Sequence, residues 1–92
     1  MDYHPHSSNI GQPSVPEQLL EKVARRVHEQ WVCTRQRQGW VWGKFRNDEK
    51  KEHPSIVPYD MLTDEEKEVD RVTVKTVIAT LLAMGATFTL DD

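Results

Sequence analysis

Cysteine, long apolar runs and glycine-rich loops are scarce or missing in this chain of 92 residues. Cys33 is the only cysteine, so no disulfide can form within the chain, which fits a reducing cytoplasm. No apolar run approaches the roughly 20 residues of a membrane helix, and the N-terminus lacks the pattern of a signal peptide. We therefore expect one small, soluble, cytoplasmic domain that does not bind membranes.

Motifs for catalysis and for metal binding are also missing. No glycine-flanked serine or Cys–His–Asp arrangement indicates a nucleophile, and no Gly-rich phosphate loop is present. The four histidines have neither zinc-finger nor H-E-x-x-H spacing, and the calcium-loop pattern is absent. Cys33 and His28 border the apolar side of the first predicted helix, so we expect a buried cysteine and a hydrogen-bonded structural histidine. The sequence predicts no enzyme, no metal site and no cofactor.

Charge and aromatic residues are unevenly distributed. The formal net charge is −3, yet residues 15–53 hold nine Lys or Arg against six Asp or Glu, and the remaining residues hold three against nine. Residues 40–59, which overlap this basic part, contain four of the seven aromatic side chains. The asymmetry favours an anionic small ligand, but it is too weak for duplex nucleic acid.

The first predicted helix has clear start and stop signals. Ser14 and Glu17 have the spacing of a capping box, and Gly39 supplies a stop because glycine readily adopts the left-handed cap conformation. Glu21 and Arg25 have the spacing of an ion pair on the polar side. The apolar stripe of the helix has helical spacing and consists of Leu20, Val23, Ala24, Val27 and Trp31.

Two further helices are predicted after an irregular segment. Thr63 and Glu66 form a second capping box, which opens a short acidic helix that ends near residue 69. A broad apolar face predicts a third helix over residues 73–84, with Gly85 as its stop. Between the first helix and these two, a glycine and two prolines exclude a long regular element, although a helical turn over residues 47–52 is compatible with the sequence.

These elements predict an all-α fold: a small helical domain with two main packed helices, a short acidic helix and a long ordered Trp-rich connection. Residues 1–13 are rich in proline, glycine and polar residues, so we expect an extended N-terminal arm with Tyr3 and Ile10 as its candidate anchors. Residues 14–92 form the domain, with a tail or edge strand over residues 86–90.

The aromatic and basic cluster has two interpretations. Trp31 and Arg35 are one helical turn apart and point toward the same surface, and Trp40 follows directly after the glycine stop. In one interpretation the indoles form a small second core, with Arg35 and Arg46 paired to carboxylates such as those of Asp48, Asp60 or Asp70. In the other, they form a pocket that stacks a planar anionic molecule, with arginine at the charged end.

The order of these residues resembles the RyR repeat of ryanodine receptors. The first half of the motif is His28-x-x-Trp31-x-x-x-Arg35-x-x-x-Gly39-Trp40-x-Trp42-Gly43-x-x-Arg46-x-Asp48. The second half is His53-Pro54-x-x-Val57-Pro58-Tyr59-x-x-Leu62, followed by Glu66-Lys67-Glu68-x-Asp70-Arg71 and Leu82-Ala83-Met84-Gly85. The family more often has tyrosine where this chain has Trp42. The resemblance covers nearly the whole chain, which looks like the short stand-alone bacterial and phage members.

The resemblance implies an all-α fold without enzymatic activity, and neither a channel nor a calcium site. In the receptors the repeats form tandem pairs, which can hold an adenine nucleotide at a Trp-bearing site, and stand-alone members have been proposed to sense nucleotide-like ligands. Carried over, this implies a binding module for a nucleotide-like or other planar anionic small molecule. The alternative is a protein-interaction or homodimeric assembly module in which the Trp cluster is structural core. The implied ligand-binding residues are Trp31, Arg35, Trp40 and Arg46, with Trp42 and Tyr59 as wall residues.

Overall fold

The computed structural model describes residues 2–4 and 14–90. Two long helices pack against each other, and the segment between them carries two very short strands and one 3₁₀ turn. In chain order the elements are α1 (Glu17–Arg37), β1 (Val41–Trp42), β2 (Glu52–His53), the 3₁₀ turn (Tyr59–Met61) and α2 (Asp64–Ala83). Among the described residues, no helix combines the length and the apolar composition needed to cross a membrane.

Helix α1 begins later than predicted and ends as predicted. Its N-cap is Pro16, without a side-chain cap, so the predicted capping box of Ser14 and Glu17 is wrong. The residue before a proline is disfavoured in helical conformation, which keeps Val15 outside the helix. At the other end Gly39 has φ +91°, and the N–H of Trp40 donates to the carbonyl of Arg35 over 3.0 Å, as in a Schellman cap.

Helix α2 is one continuous element, so the predicted division into a short acidic helix and a third helix is wrong. The apolar periodicity is interrupted at Asp70 and Arg71, but neither residue breaks a helix. Arg71 instead crosses to α1, where its guanidinium donates to the Glu21 carboxylate over 2.7 and 3.1 Å. The capping box of Thr63 and Glu66 is present, which confirms the predicted start.

The segment between the helices is not purely irregular, and the all-α prediction was too simple. β1 and β2 form a parallel pair in which Trp42 is opposite His53. The predicted helical turn over residues 47–52 is instead a loop closed by a bridge between Asn47 and Glu52. A Cβ atom on Gly43 would lie 2.6 Å from the Cβ of Glu52, so only glycine allows the two segments to come this close. The fold is therefore mainly helical with a small two-stranded sheet.

The core lies where α1, α2 and the 3₁₀ turn meet. Tyr59 is its largest fully buried side chain, with 1% of its surface exposed. Its ring lies below Arg25, whose guanidinium carbon is 4.9 Å from the ring centroid. Arg25 also donates to Asp60 over 2.8 and 3.0 Å. The buried cluster consists of Ala24, Tyr59, Leu62 and Val74, flanked by Leu20, Val23, Val57 and Ile78.

Several predicted side-chain environments differ from the observed ones. Glu21 and Arg25 do not pair with each other, because each binds a partner outside α1. Cys33 is exposed rather than buried, since two residues along a helix from Trp31 the side chain is turned by about 200°. Tyr3 is 78% exposed and is no anchor, whereas Ile10 lies outside the described residues, as does most of the predicted arm. Residues 86–90 form no strand.

Candidate functional site

Trp31, Arg35, Trp40 and His53 come together on one side of the helix pair, and we call them the aromatic wall. The guanidinium carbon of Arg35 lies 5.8 Å from the ring centroid of Trp31 and 5.4 Å from that of Trp40. The ring centroid of His53 lies 5.1 Å from that of Trp31 and 6.2 Å from that of Trp40. The predicted proximity of Trp31, Arg35 and Trp40 is therefore observed, and His53 is added to it by β2.

Local structure explains this arrangement. Trp31 and Arg35 are four residues apart on α1, so their side chains lie above one another on one face. The Schellman cap at Gly39 reverses the chain and brings Trp40 back beside the last turn of the helix. Pairing of β1 with β2 then places His53 next to both indoles. No ring of the three tryptophans is fully buried.

The other three predicted ligand-binding residues lie elsewhere. Arg46 donates to Asp48 over 2.8 Å on the exposed surface, one of the ion pairs foreseen from the sequence. Trp42 is 56% exposed and lies outside the aromatic wall. Tyr59 is in the core, because the 3₁₀ turn directs its ring inward, and a buried ring cannot form the wall of a binding site.

A cleft of about 290 Å³ lies beside the aromatic wall, between α1, α2 and the segment that follows β2. Trp31 and His53 form its aromatic side, and Val27 and Val69 its apolar side. Its polar residues are His28, His53, Ser55, Glu66 and Asp70. The sequence did not predict this cleft. The only local signal is that Glu66 and Asp70 are four residues apart, which places two carboxylates on one face of α2.

His53 is a neutral imidazole whose proton position is determined by its neighbour. The backbone N–H of Ser55 donates to Nδ1 of His53 over 3.0 Å. Burial, followed by the positive charges of Arg46 and Arg35, lowers the pKa of His53. A nitrogen that accepts an N–H carries no proton, so the hydrogen of the neutral ring is on Nε2. His53 therefore offers a donor, Nε2–H, to its surroundings.

Both carboxylate oxygens of Glu66 accept hydrogen bonds from neighbouring residues. One oxygen accepts from the backbone N–H of Thr63 over 3.3 Å, and the other accepts a short hydrogen bond from the Ser55 hydroxyl. The Ser55 hydroxyl and the Thr63 hydrogen bonds lower the pKa of Glu66. Glu66 thus closes the cap of α2 and ties the loop after β2 to this helix.

Asp70 differs from Glu66 in having no ion-pair or hydrogen-bond partner in residues 2–4 and 14–90. Its side chain is half-buried at the cleft, and burial raises its pKa. A raised pKa means that the ionised form is disfavoured by the folded state. His28 opposes this increase in the pKa of Asp70, and the nearby carboxylate of Glu66 adds to it. The cleft therefore contains one carboxylate that forms no hydrogen bond or ion pair with the described protein.

Replacing this carboxylate should stabilise the protein at neutral pH. We expect Asp70→Asn to raise the free energy of unfolding at pH 7, because a raised pKa destabilises the fold once the pH exceeds the unfolded value, and fully so above the folded value. The advantage should vanish below about pH 4, where aspartate is protonated in the unfolded chain as well. Urea unfolding of both proteins across this pH range measures the difference, and a variant that is less stable at pH 7 would contradict the assignment.

The prediction that His28 is a hydrogen-bonded structural histidine is confirmed. His28 is buried and its Nε2 donates to the carbonyl of Val57 over 2.7 Å, as expected of a structural histidine. Within the ranges 2–4 and 14–90, no three side chains of the metal-ligating kinds lie close enough together to hold a metal ion.

The motif that surrounds this site was the basis of the family resemblance. His28, Trp31, Arg35 and Trp40 lie along the end of α1, and His53 completes the aromatic wall. The family model of the RyR domain matches residues 3–90, nearly the full length of the sequence. The chain belongs to the RyR domain family.

Proposed function

We propose that this protein is a binding module for a nucleotide-like small molecule, with a planar ring in the cleft against Trp31 and an anionic end near Arg35. The observation that carries the proposal is that the guanidinium of Arg35 forms no ion pair among the described residues. Its guanidinium lies by two indole rings, donates only to the amide oxygen of Gln38, and has no carboxylate partner among the described residues. Such a guanidinium is available to an anionic group.

The size of the cleft supports a single ring system as the bound group. Ligand pockets are typically about 300–1,000 Å³, so a cleft of about 290 Å³ is at the small end. A base or similar heterocycle fits such a space, whereas sugar and phosphate groups would extend past the aromatic wall. Positively charged side chains also act on this site. Burial is the largest cause of the lowered pKa of His53, and the charges of Arg46 and Arg35 are the next largest.

Calorimetry with adenine and guanine mononucleotides tests the proposal. We expect wild-type binding and a loss of affinity of about tenfold or more in Trp31→Ala, because stacking of a base on an aromatic ring contributes about 1–3 kcal/mol. Trp40→Ala should lose less, because Trp40 does not line the cleft but contacts the Arg35 guanidinium. Trp42→Ala is the matched control, since it removes an exposed indole outside the aromatic wall. Absence of binding by the wild type, or unchanged binding by both wall variants in a folded state, would refute the proposal.

We propose further that the module binds without catalysing a reaction. Ser55 supplies a hydroxyl to the cleft lining, but its own N–H occupies Nδ1 of His53 and its hydroxyl donates to Glu66. His53 therefore has no free basic nitrogen with which to take the proton of Ser55. Incubation of bound nucleotides with the protein, followed by chromatography, should return them unchanged.

A second candidate function is self-assembly through the end of α2. Several large apolar side chains are exposed on the second half of this helix and on the tail after it, namely Val77, Leu81, Met84, Phe88 and Leu90. Exposed apolar side chains in one region favour a protein contact. Light scattering on a dilution series distinguishes the candidates, because a strict monomer at high micromolar concentration argues against assembly.

A further inference from the structure

We propose that the ring bound in the cleft has a guanine-type edge, on which a ring N–H and an exocyclic NH₂ lie side by side. Both groups would donate hydrogen bonds to the carboxylate of Asp70. The inference rests on the proposed function and names the ligand class of that site. Its basis is the inventory of polar groups around the cleft: which of them already have partners and which are left for a ligand.

Most polar groups of the cleft are already occupied. Both carboxylate oxygens of Glu66 accept hydrogen bonds from Thr63 and Ser55. His28 donates to the carbonyl of Val57, and Nδ1 of His53 accepts from Ser55. Asp70 remains, with two acceptor oxygens and no partner in the described part of the chain. A ligand in this cleft thus meets one free carboxylate, that of Asp70, and one free donor, the Nε2–H of His53.

An ionised carboxylate accepts hydrogen bonds and donates none. It is matched best by two parallel N–H groups, as in the bidentate pairs that arginine forms with carboxylates. Guanine presents such a pair on one edge, its N1–H and its 2-amino group. Adenine presents an amino group beside an unprotonated ring nitrogen, so one carboxylate oxygen would face a lone pair. The cleft should therefore prefer guanine to adenine.

The half-buried position of Asp70 makes this discrimination strong. A bidentate pair in a partly desolvated cleft gains more than one in water, and leaving the charge unpaired costs more. A partly buried carboxylate without a bound ligand is expected to have a raised pKa, and burial raises the pKa of Asp70. Trp31 and His53 at the same cleft supply the ring faces and edges against which a flat base packs.

Quenching of tryptophan fluorescence by four mononucleotides tests the inference. Wild-type protein should bind guanosine monophosphate at least about tenfold more tightly than adenosine or inosine monophosphate, since inosine lacks only the 2-amino group. Asp70→Asn should lose at least about tenfold toward guanosine monophosphate and should then prefer xanthosine monophosphate, because its amide NH₂ can donate to the 2-oxo group of xanthine. A gain of this kind cannot come from a damaged fold.

Glu68→Gln is the matched control, because it removes the same charge from an exposed position of α2 that does not line the cleft. It should leave the order of the four affinities unchanged. Equal binding of guanine and adenine nucleotides, an unchanged order in Asp70→Asn, or equal losses in both variants would overturn the inference and leave the proposed function standing. Absence of binding by any nucleotide to the wild type would overturn both.

Discussion

Tyr59→Ala should cost about 3–5 kcal/mol of the free energy of unfolding, the range measured for truncation of large buried aromatic residues. Tyr59 is the largest fully buried side chain in the described structure, and it joins α1 to α2 through the 3₁₀ turn. Domains of this size unfold with about 5–15 kcal/mol in total, so the variant should be close to unfolding at 25 °C. Urea denaturation followed by circular dichroism measures the loss.

Tyr59→Phe is the control that separates the ring from its hydroxyl group. The hydroxyl is buried, and no partner in the described part of the protein meets the geometry of a hydrogen bond. Glu21 is nevertheless close enough that, after burial, its interaction with the hydroxyl raises the pKa of Tyr59. Because no hydrogen bond is lost, the Phe variant should stay within about 1 kcal/mol of the wild type. Similar losses in the Phe and Ala variants would show that the hydroxyl, and not ring packing, stabilises this core.

His28→Ala should cost about 2–4 kcal/mol, since it combines a cavity with the loss of a hydrogen bond to a partly buried carbonyl. The imidazole is 5% exposed and donates to the carbonyl of Val57 over 2.7 Å. It also stacks on Trp31, with 5.8 Å between ring centroids and 24° between ring planes. Loss of this ring should therefore weaken the support of Trp31 as well as the fold. Chemical denaturation measures the stability, and fluorescence of the tryptophans reports on the wall.

Two comparisons make the His28 prediction specific. His28→Gln keeps an N–H donor for the Val57 carbonyl, so it should be clearly less destabilising than His28→Ala. Glu29→Ala changes the neighbouring exposed position of α1 and should stay within about 0.5 kcal/mol of the wild type. If Gln and Ala destabilise equally, the hydrogen bond to Val57 contributes little and the stacking on Trp31 carries the effect.

The candidate site was partly predictable from the sequence. The closeness of Trp31, Arg35 and Trp40 follows from helical spacing and from the glycine stop at Gly39, which are interactions between residues near one another in the chain. His53 joins them only through strand pairing, and Asp70 reaches the adjacent cleft only because α2 packs against α1. Those contacts connect residues far apart in sequence, and no local pattern specifies them.

The sequence alone determined the stops at Gly39 and Gly85, the capping box of Thr63 and Glu66, and the family, because backbone conformation and capping depend on a few adjacent residues. Tertiary structure alone decided that α2 is continuous, that Tyr59 is core, and that Cys33 is exposed. It also decided which charges are paired. A side chain's burial and partners depend on how the helices pack, so the half-buried Asp70 carboxylate, which has no hydrogen-bond or ion-pair partner among the described residues, became visible only in the folded protein.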